Sequence, residues 1–415
     1  MSATDQIKKA KDAVIDMVRV DSDTNQKVLL ELARQAEANI QPLLAANQLD
    51  LAQMPQTDPR YDRLMLTEER IRAIAADLRN VANMASPIDD VMEQYKTETG
   101  LYLKKIRVAL GVIGVIYEAR PNVTFDVFAL CFRTGNVAVL KGGTDAWHSN
   151  NAITELIHNS LRKFNVSTEV MQLLPPDRSA ARDLMNAVGY IDVLIPRGSQ
   201  SLITSVRDNA KVPVIETGAG VVHTYFDETA DLETGKKIIF NAKTRRVSVC
   251  NALECLIIHR SRLKNLTELM APMIQKNVVI EADEPAFAAL QNHYPKELLT
   301  KATDASFGKE HLAYRLSVKT VNNIEEALNH IATYSTRHSE AIITTSEGNK
   351  TRFFKEVDAA AVYANTSTAF TDGAQFGMGA EIGISTQKLH ARGPMSLKEL
   401  TSYKWVIESD GVTRP

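Results

Sequence analysis

Cys250 carries the sharpest chemistry in the chain. It stands in KTRRVSVCNALE (243–254), with Lys243, Arg245 and Arg246 upstream and a helix-like NALE behind it. Cations and a helix N-terminus both lower a thiol pKa, from about 8.5 into the range of roughly 3.5 to 7.5. A thiolate formed this way is a nucleophile near neutral pH. A buried structural cysteine is the other reading, and the residues leave both open. Cys131, in the apolar VFALCF, and Cys255, opening CLIIH, read as core. Three cysteines make no disulfide framework, and neither they nor the nine scattered histidines show the spacing of a metal site, so no metal is expected.

Other candidate groups stand where short apolar runs end. Lys141-Gly142 follows NVAVL and places a cation and a pliable backbone before a helix start, which suits a phosphate or a ribose. Gly198-Ser199 follows IDVLI, with Ser199 as an N-cap over which an anion could sit. Glu216-Thr217-Gly218 follows VPVI, where the carboxylate could serve as acid or base. Asn122 lies just past the strand-like VIGVIYEARP and could donate to an oxyanion. A solvated lysine beside a loop and a plain turn with an exposed carboxylate are the other readings of Lys141 and Glu216, and capping alone would explain Ser199. No G-x-G-x-x-G joins a strand to a helix, so a dinucleotide would need another kind of turn.

The elements that must position these groups follow from periodicity. The first hundred residues predict helices: Asp21 to Thr24 supply capping chemistry, Leu29, Leu32, Ala36, Ile40 and Leu43 share one face, and Ala73, Ala76, Leu78 and Val81 repeat the spacing. From Gly100 the residues turn β-branched. Short apolar runs at Val137–Leu140, Val170–Leu174, Ile191–Ile195 and Val212–Ile215 then alternate with helical patterns, the signature of parallel strands joined by crossover helices. A second α/β region runs from VSVCNALECLIIHRSR to AAVYANTS. Such sheets hold ligands at the carboxyl ends of their strands.

Length and composition agree with this picture. A chain of 415 residues makes two or three domains, and 48 basic against 50 acidic residues leave no global basic field for nucleic acid or anionic membrane. The longest apolar run, Val108–Tyr117, is about half of the ~20 residues a bilayer span needs. The first twenty residues contain no secretory h-region, which predicts a cytoplasmic chain.

Taken in order, these residues resemble the aldehyde dehydrogenase superfamily: an Asn after the first strand, a Lys ending the second, a Gly-Ser turn, a Glu-x-Gly segment, and a Cys 34 residues beyond that Glu. IYEARPNVT (116–124), LKGGTDA (140–146), IPRGS (195–199), VPVIETGAG (212–220), NAKTRRVSVCNALE (241–254), the long segment 356–395 and LTSYKW (400–405) look like the branch that reduces γ-glutamyl phosphate. Val222 departs from that branch, which often has cysteine before the histidine.

The resemblance implies an α/β, aldehyde dehydrogenase-like fold. A Rossmann-type cofactor domain would span 1–225 with a return at 386–402, a catalytic domain 226–385, and a small β oligomerisation arm 97–106 with 403–415. It implies NADPH-dependent reduction of L-glutamyl 5-phosphate through a Cys250 thioester, with Asn122 on the oxyanion and Glu216 at the superfamily's general-base position. Lys141, Gly142, Gly198, Ser199, Gly218 and Glu310 would meet the cofactor, and Arg120, Arg245, Arg246 and Gly377 the substrate. A homodimer or homotetramer is expected, as is transient contact with glutamate 5-kinase, which makes the acyl phosphate. The rival readings are another dehydrogenase of the superfamily, a cysteine acyltransferase or hydrolase without a dinucleotide, and a non-catalytic descendant of the fold.

Overall fold

The computed structural model of the chain describes residues 2–58 and 60–414. Sixteen strands are present among them. The first eight are β1 (Val91–Lys96), β2 (Tyr102–Ala109), β3 (Val112–Tyr117), β4 (Val137–Lys141), β5 (Met171–Leu173), β6 (Val193–Arg197), β7 (Val222–Phe226) and β8 (Leu253–His259). The rest are β9 (Val279–Ala282), β10 (Leu299–Lys301), β11 (Arg315–Val321), β12 (Ser339–Ile343), β13 (Ala361–Ala364), β14 (Ile384–Ser385), β15 (Gly393–Pro394) and β16 (Thr401–Glu408). No helix among the described residues is long and apolar enough to cross a membrane.

The chain divides into two compact units. One comprises Met1–Thr217, Gly377–Gly383 and Pro394–Pro415, the other Gly218–Phe376 and Ile384–Gly393. The break falls at 217/218, ahead of the 225/226 expected, because β7 pairs in parallel with β8 and β12 and so belongs wholly to the second sheet. The return also differs from a single 386–402 stretch: 377–383 and 394–415 lie with the first unit, and 384–393 with the second.

The first unit is built on a parallel sheet of order β5-β4-β3-β6. β3, β4 and β5 are buried throughout, as their Val, Ile and Leu content requires of a sheet covered on both faces. The helix Ser22–Ala38 starts at the Asp21 cap, whose carboxylate accepts Thr24 N–H at 2.7 Å. It buries Leu29, Leu32 and Ala36, but the chain breaks at Asn39, so Ile40 and Leu43 belong to a second helix, Ile40–Leu51. In the helix Glu68–Asn83 the buried face carries Ile71, Ile74, Leu78 and Val81, while Ala73 and Ala76 are exposed. Val212–Ile215 forms no strand; its only sheet contact is a bridge from Val214 to Leu194.

A second, antiparallel sheet of order β1-β2-β16 also lies in this unit. The hairpin begins at Val91, earlier than the 97 expected, and β16 runs from Thr401 to Glu408. Every residue of β1 is exposed, and Tyr403, Trp405 and Ile407 stand out of β16.

The second unit is a seven-stranded parallel sheet, β10-β9-β11-β8-β7-β12-β13. Its core packs Phe226, Leu256, Ile258, Leu269, Met273 and Val318 on one side, and Tyr225, Ile257, Ile342 and Phe353 in a separate cluster.

Candidate active site

Cys250 occupies the link between the helix Leu232–Thr244 and β8. No helix follows it: Asn251 and Ala252 form a turn and β8 starts at Leu253, so the helix dipole expected from NALE is absent. The reason lies in the sequence after Glu254, where CLIIH pairs with β7 and β11 and draws the segment into the sheet.

The link is fixed at both ends. Lys243, the last but one residue of the helix, donates Nζ–H to Glu254 Oε2 at 2.8 Å, and both side chains are buried. Burial pushes the Glu254 carboxyl up, to about 7, and the Lys243 ammonium down, while the contact between them opposes both shifts. Glu254 Oε1 also accepts Leu312 N–H at 3.2 Å. Lys243, expected as one of the cations acting on the Cys250 thiol, is therefore committed to a buried ion pair with Glu254. Arg245 and Arg246 are exposed.

Beside the thiol, Asn251 is held on both its side chain and its backbone. Its Nδ2–H donates to Thr371 O at 3.0 Å, and Thr368 Oγ1–H donates to Asn251 O at 2.9 Å. Beneath it, a Cβ on Gly220 would stand 1.5 Å from the Cys250 carbonyl oxygen, so only glycine allows this approach. Gly220 N–H donates to Glu310 Oε1 at 2.8 Å, which places Glu310 on the backbone that supports Cys250. Gly218 packs on Thr386, 2.3 Å from where its Cβ would be, and its N–H donates to Ile384 O. The Cys250 side chain is half-buried, whereas Cys131 and Cys255 are wholly buried, as core residues should be.

The first unit holds the other candidates. Lys141 ends β4, is buried, and donates Nζ–H to Pro176 O at 2.9 Å. Burial pulls its ammonium down, against Asp177, Asp145 and Glu118. Gly142 has no room for a side chain, since a Cβ would meet Asn150 Nδ2 at 2.3 Å. Ser199 caps the helix Gln200–Asn209, as expected. Ser199 N–H donates to Glu118 Oε2 at 2.9 Å, and a Gly198 Cβ would stand 2.6 Å from that oxygen. A carboxylate of the chain's own thus sits where the turn offers its N–H, the behaviour of a helix start that attracts anions.

Asn122 opens the helix Asn122–Arg133 and donates Nδ2–H to Asp126 Oδ2 at 2.9 Å. Burial, reinforced by Asp77, pushes the Asp126 carboxyl up to about 7. Glu216 faces Arg207 of the helix Gln200–Asn209 across 3.6 Å. Arg120 lies in the turn before Asn122, and Gly377 adopts φ +74°, with open space where a Cβ would be.

Sequence reasoning missed Glu118, Asp126, Asn251 and Glu254. Asp126 was within reach of it, being four residues from Asn122 on a helix. Glu254 was not, because its partner Lys243 meets it only after the intervening link folds back.

The aldehyde dehydrogenase family model matches residues 2–293. The γ-glutamyl phosphate reductase of Pelodictyon phaeoclathratiforme is 58% identical over 412 residues, covering 99% of each chain. That of Parabacteroides distasonis is 55% identical over 414 residues, covering both chains fully. Among solved structures, γ-glutamyl phosphate reductase from Thermotoga maritima superposes with a TM-score of 0.95 at 36% identity, covering all of both chains. A glyceraldehyde-3-phosphate dehydrogenase from Methanocaldococcus jannaschii, solved with NADP, shares the fold at 16% identity and a TM-score of 0.69, covering 98% of this chain and 94% of that one.

Proposed function

The chain belongs to the aldehyde dehydrogenase family, among its γ-glutamyl phosphate reductases, and we propose that it reduces L-glutamyl 5-phosphate to L-glutamate 5-semialdehyde and phosphate. This is the second step of proline biosynthesis from glutamate. The observation that carries the reading is end-to-end identity of 58% with a reductase of that name, in a chain whose Cys250 link is held rigid on both sides.

Cys250 acts as the nucleophile. Its sulfur bonds to the acyl carbon, the C–O bond to phosphate breaks, and phosphate leaves with the electron pair, so a thioester remains and no general acid is needed. The tetrahedral oxyanion is held by the Cys250 backbone N–H and by Asn122. Asp126 engages one N–H of the Asn122 amide, which orients the group and leaves its second N–H to donate. Losing one such donor typically costs about 10² to 10³ in rate.

NADPH is the proposed reductant, and when bound it supplies a hydride to the thioester carbonyl. The residues present fit a dinucleotide: a buried Lys141 ammonium at a strand's carboxyl end, the glycines at 142 and 198, and a helix start at Ser199 already holding a carboxylate. Glu118 would give way to the more highly charged phosphate there. After reduction, collapse of the hemithioacetal breaks the C–S bond and returns the Cys250 thiolate. Glu310, bound to Gly220 N–H, serves first as a support for the Cys250 backbone and second as a ribose contact. Arg120, Arg245 and Arg246 are apt for the carboxylate and phosphate ends of the substrate, since guanidinium binds such groups bidentately. Gly377 gives the substrate loop its turn.

Glu216 matches the position that activates water in hydrolytic relatives, and water would waste the acyl phosphate. Its ion pair with Arg207 supports a minor part in the reduction. The exposed β1 edge and the apolar side chains of β16 support pairing with a second subunit, giving a homodimer or homotetramer. The lability of an acyl phosphate favours a cytoplasmic setting with direct handover from glutamate 5-kinase.

The test is the reverse reaction. Glutamate 5-semialdehyde, phosphate and NADP⁺ together should yield NADPH, and omission of phosphate should abolish it. Equal rates without phosphate would identify a hydrolytic dehydrogenase instead.

A further inference from the structure

Spacing along the chain separates His223, Cys255 and His330, yet the fold brings their side-chain ligand atoms within 4.8 Å of one another in the core of the second unit. His223 and Cys255 face each other as register partners on β7 and β8, and His330 comes from the helix Ile324–Tyr334. All three are buried.

The hydrogen bonds among them do not close. Glu340 Oε2 accepts both His223 N–H, at 2.9 Å, and His223 Nδ1–H, at 3.0 Å, while Ser335 Oγ–H donates to its other oxygen. A carboxylate only accepts, so Nδ1 carries the ring proton and Nε2 presents a lone pair to the core. That nitrogen is buried and has no hydrogen-bond partner. Cys255 Sγ stands 3.7 Å from His330 Nε2. The Cys255–His330 contact can be made in either direction, so it is the buried His223 Nε2 lone pair that stays without a partner whichever tautomer His330 takes.

A soft cation would satisfy all three. We propose that His223 Nε2, Cys255 Sγ and His330 Nε2 form a metal site for a zinc-class divalent ion. The 3.7 Å between Cys255 Sγ and His330 Nε2 is close to the roughly 3.6 Å that two ligands take around a tetrahedral zinc, where Zn–S is about 2.3 Å and Zn–N about 2.0 to 2.1 Å, and side-chain rotation would draw in His223 Nε2, which lies within 4.8 Å of both. Glu340 on Nδ1 of His223 is the outer carboxylate that fixes a metal-binding histidine's tautomer. Charge also balances: Zn²⁺ displaces the Cys255 proton to solvent, and the thiolate together with the Glu340 carboxylate neutralises the ion. A surface pocket walled by Arg260, Asp283, Lys319, Asn329 and Tyr334 also borders His330, the side from which an ion and a solvent ligand would have to come.

This site does not depend on the reductase reading. The test loads the full-length protein with zinc, or with cobalt as a coloured substitute, during expression and then desalts it. About one ion per chain should remain, and the cobalt form should show a thiolate charge-transfer band. The band should vanish and affinity fall at least tenfold in Cys255→Ser, and both should persist in Cys250→Ser. Should Cys255→Ser fail to fold, X-ray absorption on the wild type should find one sulfur at about 2.3 Å and two nitrogens at about 2.0 to 2.1 Å. A wild type that retains no metal, or a band that disappears with Cys250 and survives loss of Cys255, would overturn the site.

Discussion

Gly220 lies so close under Cys250 that a single added methyl group would fall 1.5 Å from the Cys250 carbonyl oxygen. The backbone at Cys250 cannot yield freely, because Asn251 is tied to Thr368 and Thr371. Gly220→Ala should therefore displace the thiol. Turnover should drop by about 10² or more, since misplacement of about 1 Å at a reacting group costs that much, and stability by about 1 to 3 kcal/mol. Steady-state kinetics alongside urea denaturation check this; near wild-type turnover would mean that the thiol's position is not set here.

The Lys243–Glu254 pair gives a second prediction. Removing one partner of a buried pair leaves the other charge uncompensated, at about 3 to 5 kcal/mol, whereas replacing both with apolar groups is often neutral. Lys243→Met should be strongly destabilised and the double variant with Glu254→Leu should recover most of the loss. Denaturation midpoints of the two proteins decide the matter.

Much of this frame was readable in the residues, and the exceptions have physical causes. β4, β6, β11 and β12 announce themselves as short runs rich in Val, Ile and Leu. β7 reads VHTYF and hides two polar residues, His223 and Thr224, in a fully buried strand, so its hydropathy gives little away. Val212–Ile215 has the right composition, but makes only the single bridge to Leu194. Lys141 and Ser199 stood out because each stands where a short apolar run ends, and Cys250 because of the basic residues upstream of it. The ion pair behind Cys250 and the histidine cluster did not, since both arise only when strands distant in sequence become neighbours.

Glu216→Gln should keep reductive turnover within about tenfold of the wild type, consistent with a general base made idle by the absence of a hydrolytic step. Its carboxylate already faces Arg207. Complete loss of reduction would assign Glu216 a direct part in proton transfer with Cys250.

Acid should weaken the fold through its buried histidines. His338 is wholly buried and pushed down to about 4 from 6.5. Between those values the unfolded chain binds the proton and the folded chain does not, so this stability is present above about pH 6.5 and is lost as pH falls toward 4, at most about 1.4 kcal/mol per pH unit. Asp126 and Glu254, both pushed up to about 7, act in the opposite sense over much of the same range. The informative comparison is thus urea unfolding at several pH values for the wild type and His338→Gln, and the variant should show the shallower loss on acidification. Identical slopes would mean that His338 is not held neutral.

The thioester can be seen directly by mass spectrometry. Incubated with glutamate 5-semialdehyde and NADP⁺ in the absence of phosphate, the protein should accumulate one glutamyl group on the peptide containing Cys250, and added phosphate should discharge it. An adduct on any other residue, or active enzyme in which Cys250 is never acylated, would contradict the proposed chemistry.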